Sequence, residues 1–482
     1  MGTERTITPI NPATGRQLSP VGAASEAEVL DAVSRSRRAF ATWRFTSVKE
    51  RSAFLVSAAE CLEAAADEIG GVITSEMGRV KAESIPEVTK SGAFLRYFAR
   101  IGERALTPTR LDLEGLTLPE KEAYVHYEPR GVVAVIKPWN APVQQIIWAV
   151  APALMAGCTV IIKPSEYTPR SALGLQRAFD KAGLPKDVVI TLTGDDRTGE
   201  FLVGSDVDVI AFTGSVATGR RVAEIAGRRL KKAILELSGK DALIVDQNPP
   251  DLTLVASGIV YGAFSNCGHW CSSIERAYIP SALWDSVLPK VVEKTRALRV
   301  GDGSTDGVDM GPIANERQFS IVKDIVADAV SRGATVVAGG KPSADSSAGG
   351  YFFEPTVLTD VPHDARLTHE NVFGPVIALY RYDKLDDAIL AANSTNYGLG
   401  LSLWTADPEV AEYVTKRSDT GMVWVNEPLQ SLAACPWSVY KDSGIGVELG
   451  ESGLREFTFE KVVQAQFANN SGPRAWYFPY GK

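Results

Sequence analysis

The sequence predicts an α/β fold with at least one parallel β-sheet, and three observations support this. From residue 131 onward, short apolar runs alternate with amphipathic helical segments, the pattern of β-α-β units. The chain has 482 residues, which exceeds a single core and predicts about two to four domains. Its 45% hydrophobic and 22% charged residues are the balance of a globular protein rather than a disordered one.

The elements follow in order along the chain. Residues 26–105 repeat apolar side chains at helical spacing, with Ser25 as a candidate N-cap. Residues 110–129 alternate apolar and polar side chains, which predicts a two-stranded antiparallel excursion. A second α/β stretch runs from about 240 to 455, and residues 457–467 resemble an edge strand whose partner lies elsewhere, such as in another subunit. Five β-rich runs lie between these parts: 131–136, 159–163, 188–194, 209–214 and 233–237.

Charge and cysteine content exclude several classes of protein. The net charge is −8, without basic blocks, which argues against a nucleic-acid or anionic-membrane partner. No apolar run approaches the length of about 18 residues that a membrane-spanning helix needs. The five cysteines are irregularly spaced, which predicts reduced thiols and a cytoplasmic location. Cys267 and Cys271 lack a second Cys/His pair at ligand spacing, so no metal site is expected.

Two segments suit a dinucleotide although the usual GxGxxG fingerprint is absent. FTGSVATGR (212–220) combines a strand end, a tight glycine turn and Ser215 at the start of a helix, where free N–H groups suit a pyrophosphate. KPSE (163–166) follows another strand, where open α/β sheets bind ligands. Taken alone, segment 212–220 is explained as an ordinary turn between a strand and a helix. Taken alone, segment 163–166 is explained as a solvated charge pair.

Three further segments carry side chains with catalytic chemistry. PWNAP (138–142) places Asn140 after a strand, and LELSGKDA (235–242) places Glu236 at another strand end. FSNCGHWCSSIER (264–276) presents Cys271 in a small, polar context. As isolated residues, a cysteine of this kind is usually core and a strand-end glutamate is usually a surface charge.

Together with KPSE, FTGS, ENVFGPV (370–376), NYGLGLSLWT (396–405) and GMVWVN (421–426), these segments resemble the NAD(P)-dependent, non-acylating aldehyde dehydrogenase superfamily, in order and spacing over nearly the whole chain. The resemblance implies an aldehyde dehydrogenase-like fold with a Rossmann-like parallel-sheet cofactor domain, an α/β catalytic domain and a small antiparallel oligomerisation element. It also implies self-association as a homodimer or homotetramer. The implied boundaries are 1–108 and 130–238 for the cofactor domain, 239–456 for the catalytic domain, and 109–129 with 457–482 for the oligomerisation element and tail. The aromatic-rich tail 468–482 is expected to dock on a neighbouring subunit.

The resemblance further implies that a small-molecule aldehyde is oxidised to an acid. Cys271 would be the nucleophile that forms a thiohemiacetal and then a thioester, Glu236 the general base, and Asn140 an oxyanion donor. NAD is the expected cofactor, because Glu166 would repel a 2′-phosphate, and NADP stays possible. The implied cofactor-binding residues are Ile136, Trp139, Lys163, Ser165, Glu166, Gly199, Phe212, Thr213, Gly214, Ser215, Leu237, Gly239, Asn371 and Phe373. The implied substrate-channel residues are Ala141, Gln145, Trp148, His269, Trp270 and Leu429.

The sequence departs from the family pattern at several positions. Asn371 stands where a glutamate is usual, and Ala149 where a lysine is usual, so Glu448 is expected to lack its lysine partner and a proton relay between them to be missing. Departures also occur at Ser438-Val439 and Val447, and they are expected to alter the packing of that loop. Ala141, Gln145 and Trp270 predict a channel for a bulky or polar substrate, such as an aromatic aldehyde or a semialdehyde.

Two other functions remain open at this point. A coenzyme-A-acylating relative would not need the general base, so Glu236 argues against it. A non-catalytic relative that kept the fold would explain the departures, but the Cys271, Asn140 and Glu236 set argues against that alternative.

Overall fold

The structure is a computed structural model that describes residues 5–114, 121–344, 346, 349–428 and 430–467. Leu429 and the tail 468–482, both named in the sequence predictions, lie outside the described residues. Within the described part, no helix is both long enough and apolar enough to cross a membrane.

The fold alternates helices and strands along its length. The helices are α1 (Glu26–Trp43), α2 (Val48–Ala64), α3 (Ala66–Met77), α4 (Lys81–Leu106), α5 (Gln144–Ala156), α6 (Pro169–Lys181), α7 (Asp196–Gly204), α8 (Val216–Arg228), α9 (Leu252–Phe264), α10 (Trp284–Arg296), α11 (Glu316–Ser331), α12 (Arg366–His369), α13 (Leu385–Asn393), α14 (Pro408–Thr415) and α15 (Gly450–Arg455), with a 3₁₀ turn at Ser265–Gly268. The strands are β1 (Thr6–Ile7), β2 (Ile10–Asn11), β3 (Arg16–Gln17), β4 (Val21–Gly22), β5 (Thr109–Arg110), β6 (Glu122–Pro129), β7 (Val132–Ile136), β8 (Thr159–Lys163), β9 (Val189–Thr191), β10 (Val209–Thr213), β11 (Lys232–Glu236), β12 (Asp241–Val245), β13 (Ile274–Pro280), β14 (Thr335–Ala338), β15 (Thr356–Thr359), β16 (Val376–Tyr382), β17 (Tyr397–Gly398), β18 (Gly400–Trp404), β19 (Met422–Val425), β20 (Trp437–Ser438), β21 (Tyr440–Lys441), β22 (Gly444–Ile445), β23 (Val447–Glu448) and β24 (Thr458–Ala465).

The predicted N-terminal helices are α1 to α4. Ser25 is the N-cap of α1. Its side chain accepts a hydrogen bond from the Glu28 backbone N–H, and the Glu28 side chain accepts one from the Ser25 backbone N–H. This capping box satisfies backbone groups that a helix start otherwise leaves unpaired. The apolar faces of α2, α3 and α4 pack with α5 in one core, so the helical prediction for 26–105 is confirmed.

The five β-rich runs form one sheet. Its strand order is β22-β11-β10-β7-β8-β9, and the five long strands are mutually parallel. All of β7, β8 and β10 is buried, as a sheet covered on both faces requires. The carboxyl ends of these strands therefore meet at one edge, where open α/β sheets bind ligands.

The second α/β stretch forms a seven-stranded sheet in the order β14-β15-β16-β13-β12-β18-β19. Its strands are parallel except for β14, which pairs antiparallel with β15. One short strand from this half of the chain, β22, adds antiparallel to β11 of the first sheet. The C-terminal half therefore contacts the strand end that carries Glu236, because Gly444 of β22 pairs with Glu236 of β11.

The antiparallel excursion and the C-terminal strand belong to one sheet of order β24-β6-β5. Strand β24 pairs with β6 from Thr458 opposite Pro129 to Ala465 opposite Glu122. The prediction of an edge strand with a distant partner is confirmed. Strand β6 of the same chain supplies this partner, and β24 remains an edge strand of the sheet among the described residues.

Candidate active site

A cavity of about 410 Å³ opens at the carboxyl ends of β7, β8 and β10; we call it the strand-end cleft. It lies at the strand ends where the sequence predicts a dinucleotide. Ten of the predicted cofactor-binding residues line it: Ile136, Trp139, Lys163, Ser165, Glu166, Gly199, Phe212, Thr213, Gly214 and Ser215.

The polar groups of the strand-end cleft fit a nucleotide. Ser215 is the N-cap of α8, so the first turn of this helix points backbone N–H groups toward the cleft, an arrangement that favours phosphate. Lys163 is buried, and its Nζ lies 3.9 Å from a Glu166 carboxylate oxygen. Burial lowers the pKa of Lys163, with the charge of Glu166 opposing this. A Cβ on Gly199 would meet only open space, so a flat ring has room beside it.

The other four predicted cofactor residues lie outside the cleft lining. Leu237 packs under α8, where a Cβ on Gly219 would lie 2.4 Å from it. A Cβ on Gly239 would lie 2.3 Å from the Cys271 carbonyl oxygen, so glycine is needed for close approach of this loop to the cysteine segment. Asn371 accepts a hydrogen bond from the Phe373 N–H at 2.9 Å, and the Phe373 ring packs edge-on against Trp139.

Cys271 follows a turn with unusual backbone geometry. Asn266, Cys267 and Gly268 all have positive φ, at 50°, 55° and 73°. Non-glycine residues adopt this region at a cost, which is common beside functional sites. The Glu83 carboxylate of α4 accepts from the Asn266 N–H at 3.1 Å and holds the turn in place.

Cys271 and Glu236 are both buried and perturb each other. Burial, then the charge of Glu236, raises the pKa of the Cys271 thiol well above its ordinary value. Burial, then the charge of Glu448, raises the pKa of Glu236 to about 7, while Cys271 and Lys137 act in the opposite direction. A carboxyl group with a pKa near 7 exchanges protons readily at neutral pH.

Asn140 lies beside the cysteine segment. Its side-chain Nδ2 donates to the backbone carbonyl oxygen of His269 at 2.8 Å. Its backbone carbonyl oxygen accepts from Asn266 Nδ2 at 2.8 Å. A side-chain amide has two N–H donors, so one remains for a ligand next to Cys271.

The expectation that Glu448 lacks a lysine partner is wrong. Position 149 is indeed alanine, but Lys137, directly after β7, forms a buried ion pair with Glu448 and donates to Thr213 Oγ1 at 2.8 Å. The altered loop residues Ser438 and Val447 pair in a small antiparallel sheet that also sets Trp437 opposite Glu448. Trp437 Nε1 lies 3.4 Å from a Glu236 carboxylate oxygen, so this sheet carries two side chains that act on Glu236.

A second cavity, of about 210 Å³, opens onto Cys271 between α4 and α5; we call it the cysteine cavity. The predicted channel residues Ala141, Gln145, Trp148 and Trp270 line it. His269 does not. Its ring packs against Trp139 at 4.9 Å between centroids and against Phe373 at 5.9 Å, and burial lowers its pKa to about 3, so it is a neutral aromatic spacer.

Sequence reasoning missed four residues of this region. Arg79, Lys90 and Ser431 line the cysteine cavity, and Lys137 borders the strand-end cleft. The spacing of Glu83, Glu87 and Lys90 puts them on one face of α4, which is a readable signal, but nothing in the sequence indicates what that face meets.

Comparison with known proteins identifies the family. The model of the aldehyde dehydrogenase family matches residues 1–463. A succinate-semialdehyde dehydrogenase [NADP(+)] from Deinococcus radiodurans is 36% identical over 96% of this chain and 95% of its own length. A betaine aldehyde dehydrogenase from Bacillus subtilis is 32% identical over 94% of this chain and 93% of its own.

Solved structures of aldehyde dehydrogenases also superpose on this chain. A putative aldehyde dehydrogenase from Burkholderia cenocepacia superposes with a TM-score of 0.93 at 32% identity, covering 97% of this chain and 96% of its own. The NAD⁺ complex of an aldehyde dehydrogenase from Bacillus cereus gives 0.92 at 30% identity, covering 96% and 94%.

The fold carries a cleft at the strand ends of one sheet and a cavity that opens onto a buried cysteine, and it is the fold of an oxidoreductase. The chain belongs to the aldehyde dehydrogenase family. It is an NAD(P)-dependent enzyme that oxidises aldehydes to carboxylic acids, and the predicted α/β fold is confirmed.

Proposed function

We propose that Cys271 is the covalent nucleophile, Glu236 the general base and Asn140 an oxyanion donor in this oxidation. The observation that carries the proposal is the burial of Cys271 against Glu236 at the inner end of the cysteine cavity. A hydrogen bond from the Asn140 side chain to the His269 backbone carbonyl oxygen positions Asn140 beside the cysteine segment.

The chemistry begins at the aldehyde carbon. The Cys271 thiol loses its proton to solvent, and the sulfur then forms a bond to the carbonyl carbon. The charge that develops on oxygen is met by the free Asn140 N–H and the Cys271 backbone N–H. When bound in the strand-end cleft, NAD(P)⁺ supplies the acceptor for the hydride that leaves this carbon. The remaining thioester is attacked by water, whose proton passes to Glu236, and the acid leaves as the thiol is restored.

Two variants test the assignments by NADH absorbance. Cys271→Ala should remove turnover entirely, while Glu236→Gln should retain a single turnover and lose steady-state release of acid. Equal steady-state rates for Glu236→Gln and the wild type would overturn the role of Glu236. Product analysis with and without coenzyme A would expose an acylating enzyme, and no NADH from any aldehyde would favour a non-catalytic protein.

We propose that NAD is preferred over NADP. The Glu166 carboxylate lines the strand-end cleft beside Lys163, where it opposes a 2′-phosphate. Arg317 and Arg221 line the same cleft and would soften this preference, and the Deinococcus relative is named for NADP(+). The test is the kcat/KM for NAD divided by the kcat/KM for NADP. A ratio below one would contradict the preference.

We propose a cofactor domain of residues 1–108 and 130–238, a catalytic domain of 239–456 and an oligomerisation element of 109–129 with 457–482. We propose a homodimer or homotetramer that assembles through the last element. Strand β24 is an edge of its sheet, and three of its apolar side chains are exposed: Phe459, Val462 and Val463. Such an edge is the kind of surface that pairs with a second copy. A monomer by light scattering at micromolar concentration would contradict this.

We propose a cytoplasmic location, supported by the five cysteines, none of which forms a disulfide. Thiol labelling of the protein in intact cells tests it, and oxidised cysteines would count against it.

A further inference from the structure

The cysteine cavity contains a cation for which the described residues supply no matching anion. Four charged side chains line this cavity: Arg79, Glu83, Glu87 and Lys90. Arg79 forms ion pairs with both glutamates, whereas Lys90 forms none with any described residue. The two glutamates are also committed to the backbone, Glu83 to Asn266 N–H and Glu87 to the N–H groups of Val143 and Gln144.

Lys90 is held in place although no carboxylate of the described residues pairs with it. It lies on the face of α4 that meets α5, its Nζ donates to Ser431 Oγ at 3.0 Å, and it sits 5.9 Å from the centre of the Phe94 ring. It is half-buried, and burial followed by the charge of Arg79 lowers its pKa. A cation in a shielded site without a carboxylate is costly unless a ligand supplies the negative charge.

Hydrogen-bond donors converge around Lys90. Gln144 Nε2 also donates to Ser431 Oγ, at 3.1 Å, so this hydroxyl oxygen accepts from two nitrogens and its own O–H remains to donate. An ammonium has three N–H donors and an amide has two, so Lys90 and Gln144 each keep donors in reserve. Three side chains thus present unused donors at one place in the cavity that ends at Cys271.

We propose that the preferred substrate is an aldehyde that carries a second, anionic group, a carboxylate, which binds Lys90, Ser431 and Gln144 while the aldehyde carbon meets Cys271. The inference rests on the proposed function, because it uses Cys271 as the reacting group. Charge-assisted hydrogen bonds to a carboxylate are about twice as strong as neutral ones. A cationic aldehyde would instead meet the positive charges of Lys90 and Arg79. Among the described residues, the carboxylates that line this cavity, Glu83 and Glu87, are already paired with Arg79.

The deciding experiment compares aldehydes of matched length and different charge. The steady-state kcat/KM would be measured for 4-oxobutanoate, butanal and 4-aminobutanal, with wild type, Lys90→Met, Lys90→Arg and Lys49→Met. Lys49 is an exposed lysine of α2 and serves as the matched control. Circular dichroism and the melting temperature check that each variant folds.

Wild type and Lys49→Met should both favour the carboxylate substrate. Lys90→Met should lose roughly 10- to 100-fold in kcat/KM for 4-oxobutanoate, chiefly through KM, and change little with butanal. Lys90→Arg should recover most of the loss, which a purely structural role would not predict. Succinate should inhibit butanal oxidation competitively in the wild type and much less in Lys90→Met.

Other outcomes separate the two proposals. If butanal is oxidised well and 4-oxobutanoate shows no advantage, or if Lys90→Met affects all three aldehydes equally, the anion site is refuted and the proposed function stands. If 4-aminobutanal is preferred, the cavity is selective for the opposite charge and the inference is wrong. If no aldehyde yields NADH with folded wild-type protein, the proposed function itself fails.

Discussion

Removing either member of the buried Lys137–Glu448 pair should move the pH profile of the enzyme in opposite directions. Glu236 has a pKa of about 7 instead of an ordinary 4.5, which corresponds to about 3 kcal/mol of preference for its neutral form. The charge of Glu448 contributes to that rise and the charge of Lys137 opposes it. Hydrolysis of the thioester needs the charged form, so the rate should rise with pH through about 7.

The expected displacement follows from the charges. A unit charge several ångströms away, at an effective dielectric constant of about 20, contributes about 1–2 kcal/mol, or roughly one pH unit. Lys137→Met should therefore move the rising limb of kcat to higher pH by about one unit. Glu448→Gln should move it to lower pH by a similar amount. The assay is the pH dependence of steady-state kcat with a saturating aldehyde.

The double variant Lys137→Met/Glu448→Gln is the control, because it removes both charges and leaves no unpaired ion in the core. Its limb should lie between those of the single variants. Limbs that move in the same direction for both single variants, or that do not move at all, would refute the electrostatic account of Glu236.

The raised pKa of Glu236 also has a consequence for folding. Since the folded value lies above the unfolded one, the stability contributed by neutral Glu236 is complete below about 4.5 and is lost as pH rises through about 7.

Three other substitutions have defined outcomes. Asn140→Ala should lower kcat by about 10²- to 10³-fold, the usual cost of an oxyanion donor, with little change in cofactor affinity measured by fluorescence titration. Gly239→Ala puts a Cβ 2.3 Å from the Cys271 carbonyl oxygen, so both the melting temperature and the rate of Cys271 alkylation should fall. Glu166→Gln should raise kcat/KM for NADP several-fold and leave that for NAD within about twofold; an unchanged NADP value would contradict the assigned repulsion.

The parts of the fold that were predictable from the sequence are those with local patterns. The run TVIIK is β8 at Thr159–Lys163, and VIAFTG is β10 at Val209–Thr213 followed by its glycine turn. A fully buried parallel strand is a short apolar run bounded by turn residues, which one sequence displays directly. The strand-end positions of Lys163 and Ser215 followed from the same patterns.

The contacts that tune the site were not predictable in this way. Lys137 meets Glu448 across 311 positions, and Lys90 meets Ser431 across 341. Neither pair has a characteristic spacing, because the meeting depends on how the C-terminal half folds back over the first sheet through β22. By resemblance to the family pattern, alanine at position 149 predicted that Glu448 lacks its lysine partner. The structure places a different lysine, from a strand end, against the same carboxylate.

His269 illustrates a different limit. Its place two residues before Cys271 suggested a wall of the substrate channel, yet the ring turns away and packs with Trp139 and Phe373. Because the turn at 266–268 has positive φ throughout, alternate side chains do not point where a regular helix or strand would send them. A local conformation of this kind depends on long-range support, here the Glu83 carboxylate on Asn266.

The most direct test of the whole account is mass spectrometry of Glu236→Gln mixed with aldehyde and NAD, quenched with acid and digested. The account predicts that the Cys271 peptide gains the mass of the acyl group, that one equivalent of NADH forms with it, and that Cys271→Ala gains nothing. NADH and acid formed continuously by Cys271→Ala, or an acyl group found on one of the other four cysteines instead, would contradict it.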